Sequence, residues 1–329
     1  MECRICCSKI TDKGLRVKEM MFGTGNEYLY YKCNSCGCLQ IEHPENNASN
    51  LYPNRYYSFN TYNVSNILEK VKRLIVRYSV SKSLGHSSFF NFLLAKKHRD
   101  GGAGALKGKV SKSSKILDVG CGDGSLVDAL AWCGYKDLVG IDPYLKQDLI
   151  KNNYQLLKRR IEDFKGSNLF DVIMLHHSFE HVEYPFEMLS HIKRLLKRDG
   201  LCIIRIPVAD SYSCDFYKQN WVQMDAPRHI FLHTNDSMAF LSKKYNFNIE
   251  SIVDDSTEFQ FIGSEQYKKG ITLSSDKSYF VSYHKKIFAN KEMLFSKNEI
   301  KKFKHQAITL NNEGKGDQRI YYLKNIELN

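Results

Sequence analysis

The chain has 329 residues, of which 43% are hydrophobic and 12% aromatic, and a formal net charge of +12. This composition is typical of a packed globular protein with one large domain and a small one. Residues 1–13 hold cysteines and charges, which argues against a secretory signal, and the longest apolar run, 88–95, is too short to cross a bilayer. We therefore expect a cytoplasmic protein without a transmembrane segment, and peripheral contact with a membrane stays open.

Six of the ten cysteines lie within the first 38 residues. Because cytosolic thiols stay reduced, this cluster indicates metal ligation and argues against disulfides. Two Cys-x-x-Cys pairs can each span one edge of a tetrahedral Zn²⁺ site, and together they complete it. We predict a zinc-binding ribbon over residues 1–46, while the adjacent thiols of Cys7 and Cys38 leave a different choice of ligands open. The predicted zinc ligands are Cys3, Cys6, Cys33 and Cys36.

Residues 47–114 form a basic, partly helical linker region. Within 66–115, twelve lysines and arginines against two acids give a local charge of +10. Such a block suggests an anionic partner, or only a solvated surface. Apolar residues recur at helical spacing over 67–78, which predicts an amphipathic helix packed on the following domain. The glycine-rich run 101–104, followed by 107–114, is typical of a flexible linker.

From residue 115 onward, short β-rich runs alternate with helical patterns. The predicted strands are 115–119, 138–141, 171–175 and 201–206, and the predicted helices are 125–133 and 185–197. This alternation predicts an α/β domain over 115–329, with a doubly wound parallel sheet, helices on both faces and an insertion at about 255–317. Ligands of such sheets bind at the carboxyl ends of the strands.

A glycine-rich loop follows the first strand of this domain. It reads Gly-x-Gly-x-Gly from Gly120, and Asp118 stands two positions before it. Glycines let the backbone approach a ligand, and the next helix offers free N–H groups. Asp142 ends the second strand, where an acid can accept both ribose hydroxyls. A dinucleotide site spaces its glycines differently, and an anionic Asp118 suits a cationic aminoacyl group, so the pattern favours S-adenosylmethionine over NAD.

These runs resemble the motifs of class I S-adenosylmethionine-dependent methyltransferases. The matches follow one another in chain order at 116–124, 139–142, 162–164, 170–173 leading to 179–182, and 195–200. The resemblance implies a Rossmann-like fold, methyl transfer and S-adenosylmethionine as the cofactor.

The resemblance also implies a role for individual residues. It puts the glycine loop against the methionine part, Asp142 on the ribose, Asp163 on the adenine amine, Phe164 on the adenine ring and His176 beside the aminoacyl group. The candidate cofactor residues are Asp118, Gly120, Cys121, Gly122, Asp142, Asp163, Phe164 and His176.

A narrower resemblance extends over most of the chain. The cysteine pairs and the runs 225–229, 263–267 and 316–318 look like those of zinc-ribbon methyltransferases from bacterial surface-polysaccharide and modified-sugar pathways. This implies O- or C-methylation of a small-molecule or lipid-linked sugar acceptor, expected to be anionic. The acceptor atom and the oligomeric state stay open.

Methylation of a hydroxyl or a carbon acid also needs a base. The candidates are His229, His181, His177 and Glu180. His229 comes first because it follows the predicted strand 201–206, in a segment expected to cross the mouth of the cofactor cleft, and His181 comes second. A purely structural role for His229 stays open.

Two other interpretations compete with this one. Residues 177–181 match His-x-x-Glu-His, a zinc-protease motif, but that motif requires a helix and these residues follow a strand. The main alternative is a zinc-containing nucleic-acid-binding protein, or an RNA or DNA methyltransferase. No amino-methylation tetrapeptide and no aromatic-basic interleaving support it, so nucleic acid is disfavoured as a partner.

Overall fold

The computed structural model describes residues 1–45, 67–86, 89–94, 100–281 and 294–326. Much of the predicted basic region 47–114 therefore lies outside the described residues. Within these ranges, no helix combines the length and the apolar composition that crossing a membrane requires.

The strands, numbered in chain order, form two sheets. They are β1 Leu15–Lys18, β2 Glu27–Lys32, β3 Leu39–Ile41, β4 Lys115–Val119, β5 Asp137–Ile141, β6 Leu149–Ile150, β7 Tyr154–Leu157, β8 Phe170–His176, β9 Leu196–Pro207, β10 Phe231–Leu232, β11 Phe247–Asp254 and β12 Gln318–Asn325. The helices are α1 Ile67–Ser83, α2 Phe89–Leu94, α3 Ser125–Trp132, α4 Pro185–Leu195, α5 Tyr212–Tyr217, α6 Asn235–Lys244, α7 Phe259–Lys268 and α8 Lys297–Asn312.

The larger sheet has the order β11-β12-β9-β8-β4-β5-β7-β6. Strands β7, β5, β4, β8 and β9 pair in parallel, whereas β12 runs antiparallel between β9 and β11. From β4 the chain proceeds first to one side of the sheet and then to the other. The topological switch point therefore lies between β4 and β8, where ligands of doubly wound sheets bind.

Apolar side chains cover both faces of this sheet. Leu117 and Ile173 pack on one face with residues of α4 and α6, while Ile116 and Val172 pack on the other face with residues of α1 and α3. This alternation along each strand, with helices on both faces, is the doubly wound α/β architecture predicted from the sequence. The sheet is mixed, however, and not purely parallel as predicted, because β12 and β6 pair antiparallel with their neighbours. Helices α7 and α8 lie between β11 and β12, in the predicted insertion.

Two segments differ from the sequence-based expectation. The run 101–104, predicted to be a flexible linker, leads into a 3₁₀ turn at Ala103–Leu106 in which Ala103, Ala105 and Leu106 are buried. The linker prediction was therefore wrong for 101–104, because the small side chains let this segment pack closely. Strand β9 begins earlier than predicted, since Leu196 already pairs with Phe170 before a bulge.

The smaller sheet joins the N-terminal region to the large domain. Its order is β1-β2-β3-β10, and the antiparallel pairing of β3 with β10 sets Gln40 opposite Phe231 and Leu39 opposite Leu232. Strands β1 to β3 thus share a sheet with β10, which lies about 190 residues later in the sequence. The cysteine-containing region is packed into the large domain through this strand.

Candidate active site

The glycine-rich loop turns sharply at the carboxyl end of β4. Gly120, Gly122 and Gly124 have φ angles of 76°, 55° and 76°, in the left-handed region that favours glycine. A Cβ on Gly120 would lie 2.6 Å from the Cβ of Ser178, and one on Gly124 would lie 2.3 Å from the side chain of Leu156. Backbone geometry and crowding therefore both require glycine at these two positions.

Asp142 lies directly after β5 and beside this loop. Its Oδ2 accepts a hydrogen bond from the N–H of Gly122 at 3.1 Å, and its Oδ1 accepts one from the N–H of Tyr144 at 2.8 Å. The side chain is buried, and burial raises the pKa of its carboxyl above the ordinary value. Asp142 thus fixes the glycine loop and is positioned to contact a ligand bound there.

Asp118 and Cys121 line the same end of the sheet. Asp118 is buried, and burial together with the charge of Asp142 raises the pKa of its carboxyl to about 7. A cation bound nearby would favour its ionised form. The sulfur of Cys121 lies 2.9 Å from where a Cβ on Gly140 would stand. Glycine at position 140 thus makes room for the Cys121 side chain.

Asp163 and Phe164 follow β7 at the 3₁₀ turn Ile161–Asp163. Asp163 is exposed, and its Oδ2 accepts the N–H of Arg160 at 3.0 Å. The ring of Phe164 lies edge-on to Phe170, with 5.8 Å between centroids, at the amino end of β8. The stacking of Phe164 on the adenine ring stays a prediction.

His176 ends β8 and faces the segment that was predicted to be a linker. Both of its ring nitrogens are buried and have no hydrogen-bond partner among the described residues. Gly102, with φ of 85°, lies so close that a Cβ there would be 2.7 Å from the His176 Nδ1. Burial, followed by the charge of Arg205, lowers the pKa of His176 to about 3. Buried polar atoms in proteins usually have a hydrogen-bond partner, so the two nitrogens of this neutral imidazole fit a hydrogen bond with a polar group of a ligand.

A buried carboxylate and three histidines meet just beyond β8. The Oε1 of Glu180 lies 3.3 Å from the Nδ1 of His177 and 3.9 Å from the Nε2 of His229. Burial raises the pKa of Glu180, but the hydrogen bond with His177 and the other imidazoles outweigh it and bring the pKa to about 2. Its Oε2 has no partner among the described residues. Glu180 is therefore a fixed anion beside the imidazoles.

His229 is buried, in the segment between β9 and β10. Its Nδ1 lies 2.7 Å from the carbonyl of Gln223, which can only accept, so Nε2 carries the lone pair. Burial and the proximity of His181 lower the pKa of His229 to about 4, against the effect of Asp225 and Glu180. The imidazole of His229 is thus neutral at pH 7.

His181 is partly exposed and lies edge-on to His229, with ring centroids 4.8 Å apart. Its Nδ1 lies 2.8 Å from the carbonyl of Arg228. The same turn contradicts the zinc-protease interpretation, because Phe179–His181 is a 3₁₀ turn of three residues and His177 has φ of 51°. These histidines do not share one face of an α-helix.

The first cysteine pair faces the second in the N-terminal region. The sulfurs of Cys3 and Cys36 lie 3.7 Å apart, and those of Cys6 and Cys33 lie 3.5 Å apart. All four sulfurs lie within 4.8 Å of one another. With Zn–S bonds of about 2.3 Å, the edge of a tetrahedral site measures about 3.8 Å, so this arrangement fits a zinc ion.

The two adjacent cysteines lie outside this cluster. Cys7 is exposed, and the buried Cys38 directs its sulfur toward the carbonyl of Leu39 at 3.5 Å. The N–H of Ile5 points to the sulfur of Cys3 at 3.4 Å, and the N–H of Cys36 points to that of Cys33 at 3.5 Å. Such donors stabilise thiolate ligands.

Sequence reasoning missed the groups that hold the segment 225–233. Glu19 and Tyr30 contact this segment from the N-terminal region, and Gly102 contacts His176. No local pattern marks these positions, because each contact joins residues far apart in the chain. A buried arginine, Arg228, implies a buried acid, but the sequence does not say which one.

Comparison with known proteins agrees with this geometry. A family model described as a methyltransferase domain matches residues 51–252, which is more than half of the chain. The chain therefore belongs to this family and carries a class I S-adenosylmethionine-dependent methyltransferase domain. This confirms the enzyme class predicted from the motifs.

Among curated proteins, the chain is similar to ubiquinone biosynthesis O-methyltransferases. That of Rickettsia canadensis is 33% identical over 100 residues, covering 27% of this chain and 41% of the relative. That of Haemophilus ducreyi is 32% identical over 129 residues, covering 35% of this chain and 50% of the relative. The matched region thus spans half or less of these relatives' length.

Solved structures with a similar fold include two methyltransferases. A S-adenosylmethionine-dependent methyltransferase from Archaeoglobus fulgidus aligns with a TM-score of 0.42 at 17% identity, covering 72% of this chain and 97% of that one. An N-methyltransferase from Haemonchus contortus, solved with S-adenosylhomocysteine, aligns with a TM-score of 0.44 at 15% identity, covering 78% and 58%.

Proposed function

We propose that this protein transfers the methyl group of S-adenosylmethionine to a sugar or glycan-pathway acceptor, on oxygen or carbon, in bacterial polysaccharide biosynthesis. The observation that carries the chemistry is the meeting of Glu180 with His181 and His229 beyond the strand that follows the switch point. The glycan acceptor itself is inferred from the resemblance of the cysteine pairs and later motifs. The curated relatives are named O-methyltransferases, which is compatible with an oxygen acceptor.

The residues at the strand ends fit S-adenosylmethionine, which supplies an activated methyl group on a sulfonium. Asp142 would hold the ribose hydroxyls while fixing the glycine loop. Asp118 would face the cationic aminoacyl end, together with the buried imidazole of His176. Asp163, which is exposed beyond β7, would accept from the adenine amine. Positioning of the two reactants in this way supplies much of the rate acceleration.

We assign the base to His229. Its Nε2 lone pair takes the proton of the acceptor as the acceptor atom bonds to the methyl carbon. S-Adenosylmethionine, when bound, would supply the methyl group and leave as a neutral thioether that keeps the electron pair of the carbon–sulfur bond. The imidazolium so formed lies 3.9 Å from the Glu180 carboxylate and 3.8 Å from that of Asp225, and both stabilise it. His181, which is more exposed, is the alternative base.

Charged groups of the chain bear on the choice of acceptor. Arg228 is only 2% exposed and already binds Glu19 and Asp225, so its guanidinium is engaged within the protein. In the basic region, Arg73 and Arg77 bind the carboxylate of Asp128. These contacts give no support to a nucleic-acid-binding surface built on these arginines. We keep a small-molecule or lipid-linked sugar, bearing an anionic group, as the proposed acceptor.

The proposal is tested by methyl transfer from isotope-labelled S-adenosylmethionine to a panel of acceptors. The panel holds nucleotide-linked sugars, lipid-linked sugars and single-stranded and duplex RNA, and products are followed by mass spectrometry. We expect label in a sugar, with NMR of the product giving the acceptor atom. Label that enters only RNA would overturn the glycan proposal and support the nucleic-acid alternative.

The base is tested with His229→Asn, which keeps a donor for the Gln223 carbonyl but has no basic nitrogen. Loss of a positioned base typically lowers turnover by about 10²- to 10⁴-fold, so we expect that loss with cofactor affinity unchanged. His305→Ala, on the exposed surface of α8, is the matched control. Turnover of His229→Asn within about tenfold of wild type would transfer the role to His181, to be tested as His181→Asn.

A further inference from the structure

The segment that carries His229 is held through its main chain by the N-terminal region. The phenol of Tyr30 donates a hydrogen bond of 2.7 Å to the carbonyl of His229 itself. The N–H of Ile41 donates to the carbonyl of Ile230 at 3.0 Å, and the pairing of β3 with β10 begins at the next residue. Four consecutive residues, 229–232, are thus fixed by the smaller sheet.

A buried ion cluster holds the same segment through a side chain. The Nη2 of Arg228 donates to Glu19 at 2.8 Å and to Asp225 at 2.6 Å. Glu19 is 3% exposed, and its carboxylate also accepts backbone N–H groups of residues 21–24 at 2.8 to 3.2 Å. Burial opposes ionisation of Glu19, but these donors and Arg228 lower the pKa of its carboxyl. Glu19 is therefore a rigid anchor for Arg228.

Among the described residues, no hydrogen bond or ion pair joins the imidazole of His229 to the N-terminal region. Its Nδ1 bonds to Gln223, and its Nε2 lies 3.9 Å from Glu180 and 3.8 Å from Asp225. The ring position is therefore set by the Gln223 carbonyl, by the main chain of the segment and by Asp225. The main chain and Asp225 are held from the N-terminal side, through Tyr30 and through the Glu19–Arg228 pair.

We infer that the N-terminal cysteine-containing module is a positioning element for the base, with Tyr30 and Glu19 as its positioning residues. This inference rests on the proposed role of His229. A shift of about 1 Å in a catalytic group can lower a rate by about 10²-fold, so even a small displacement of the segment on loss of the Tyr30 or Glu19 contact should lower turnover. Within the described ranges, the side chains of Tyr30 and Glu19 form their hydrogen bonds with residues 21–24, Arg228 and His229 and not with the glycine loop, so cofactor binding should be spared.

The environment of His229 supplies a second readout. The groups that face it are His181, Glu180, Asp225 and the carbonyl of Gln223, with Arg228, Glu19 and the buried phenol of Tyr267 beyond Asp225. Burial is the main reason that the pKa of His229 is lowered. Loosening the segment admits water, which moves this pKa upward, toward the ordinary value of about 6.5. The acid limb of the pH–rate profile then moves to higher pH.

The test compares Tyr30→Phe and Glu19→Gln with Tyr31→Phe. Tyr31 is the next residue of β2, and its hydroxyl bonds to Glu42 at 3.1 Å, away from the His229 segment. Measurements are turnover, cofactor affinity, zinc content and the imidazole NMR titration of His229. We expect Tyr30→Phe and Glu19→Gln to lose about tenfold or more in turnover, to raise the His229 pKa and to keep cofactor affinity and zinc content within twofold. Tyr31→Phe should match wild type.

The outcomes separate this inference from the proposed function. Unchanged turnover and an unchanged His229 titration in Tyr30→Phe would overturn the positioning role, even if His229→Asn is inactive. Full activity of His229→Asn would instead overturn the base assignment, while the NMR titration still decides whether Tyr30 positions the ring. Should Glu19→Gln fail to fold, which circular dichroism would reveal, the conservative Tyr30→Phe variant decides alone.

Discussion

The carboxylate of Asp142 accepts the N–H of Gly122 at 3.1 Å, so the residue proposed to hold the ribose also fixes the loop proposed to hold the methionine part. The two contacts therefore depend on one side chain. Its second oxygen accepts the N–H of Tyr144 at 2.8 Å, which leaves the carboxylate little freedom to turn.

We predict that Asp142→Ala weakens S-adenosylmethionine binding by at least tenfold, because a hydrogen bond to a charged acceptor contributes about 1.5 to 3 kcal/mol. Calorimetric titration measures the change. Asp137→Asn is the matched control, since Asp137 stands at the opposite, exposed end of the same strand. Unchanged affinity in Asp142→Ala would contradict the ribose assignment.

The elevated pKa of Asp118 predicts proton-linked cofactor binding. In the free protein the carboxyl titrates at about 7, so at pH 6 it is mostly protonated. A cationic aminoacyl group beside it would lower this pKa, and binding at pH 6 would release a proton. Affinity should therefore weaken as the pH falls below 7. Calorimetry at pH 6 in two buffers of different ionisation enthalpy detects the release, and Asp118→Asn should abolish it. Equal release from Asp118→Asn would locate the proton elsewhere.

Local patterns sufficed to predict strands β4, β5, β8 and β9, helices α3 and α4, the glycine loop and the positions of Asp118 and Asp142 beside it. Hydrophobic periodicity and motif spacing are properties of short stretches of chain, so they can be recognised without knowing the tertiary contacts. The cysteine cluster was predictable for a similar reason, because each Cys-x-x-Cys pair is itself a local metal-binding unit. The structure brings these four sulfurs together and leaves Cys7 and Cys38 aside.

Contacts between distant segments were not predictable. The run 101–104 has the composition of a linker, yet Gly102 packs on His176 because glycine is the residue that leaves space for the ring. The high charge of the basic region did not indicate that two of its arginines, Arg73 and Arg77, form hydrogen bonds with the buried carboxylate of Asp128 on α3. Burial of His229, which lowers its pKa, likewise depends on strand β10 joining the N-terminal sheet.

The basic helix α1 is anchored to α3 by one acid, which predicts a stability effect. Asp128 is 8% exposed and accepts hydrogen bonds from Arg73 at 2.8 Å, Arg77 at 3.2 Å and the hydroxyl of Tyr154 at 3.0 Å. We expect Asp128→Ala to lower the free energy of unfolding by about 2 to 3 kcal/mol, because it leaves two partly buried arginines without their acid. Denaturant unfolding measures this.

The same acid has a pH dependence with a defined sign. Burial raises the pKa of Asp128, but the bonds from Arg73 and Arg77 outweigh it and lower the pKa to about 2. The stabilisation is therefore complete above the ordinary value of about 3.9 and is lost as the pH falls toward 2. The difference in unfolding free energy between wild type and Asp128→Ala should shrink over that interval. A difference that stays constant down to pH 2 would contradict this account.

Removal of zinc is predicted to affect both the fold and the turnover. The four sulfurs fit one tetrahedral ion, and such sites contribute on the order of 10 kcal/mol to folding. Because β3 pairs with β10 and Tyr30 holds the carbonyl of His229, loss of the ion should loosen the segment of the proposed base as well as the N-terminal sheet. We expect a chelator to lower turnover at least tenfold and to increase hydrogen exchange at 229–232, with a smaller effect on cofactor affinity.

Single cysteine-to-serine substitutions distinguish the predicted zinc ligands from the adjacent cysteines. Cys33→Ser should lose zinc and reproduce the effect of the chelator, whereas Cys7→Ser should keep one zinc per chain, because the exposed Cys7 lies outside the four-sulfur cluster. Elemental analysis gives the zinc content, and hydrogen exchange at 229–232 reports on the segment independently of activity. Freshly purified protein without zinc would rule out the metal assignment. Zinc loss from Cys33→Ser with unchanged exchange at 229–232 would keep the metal site but show that the ion does not support the His229 segment.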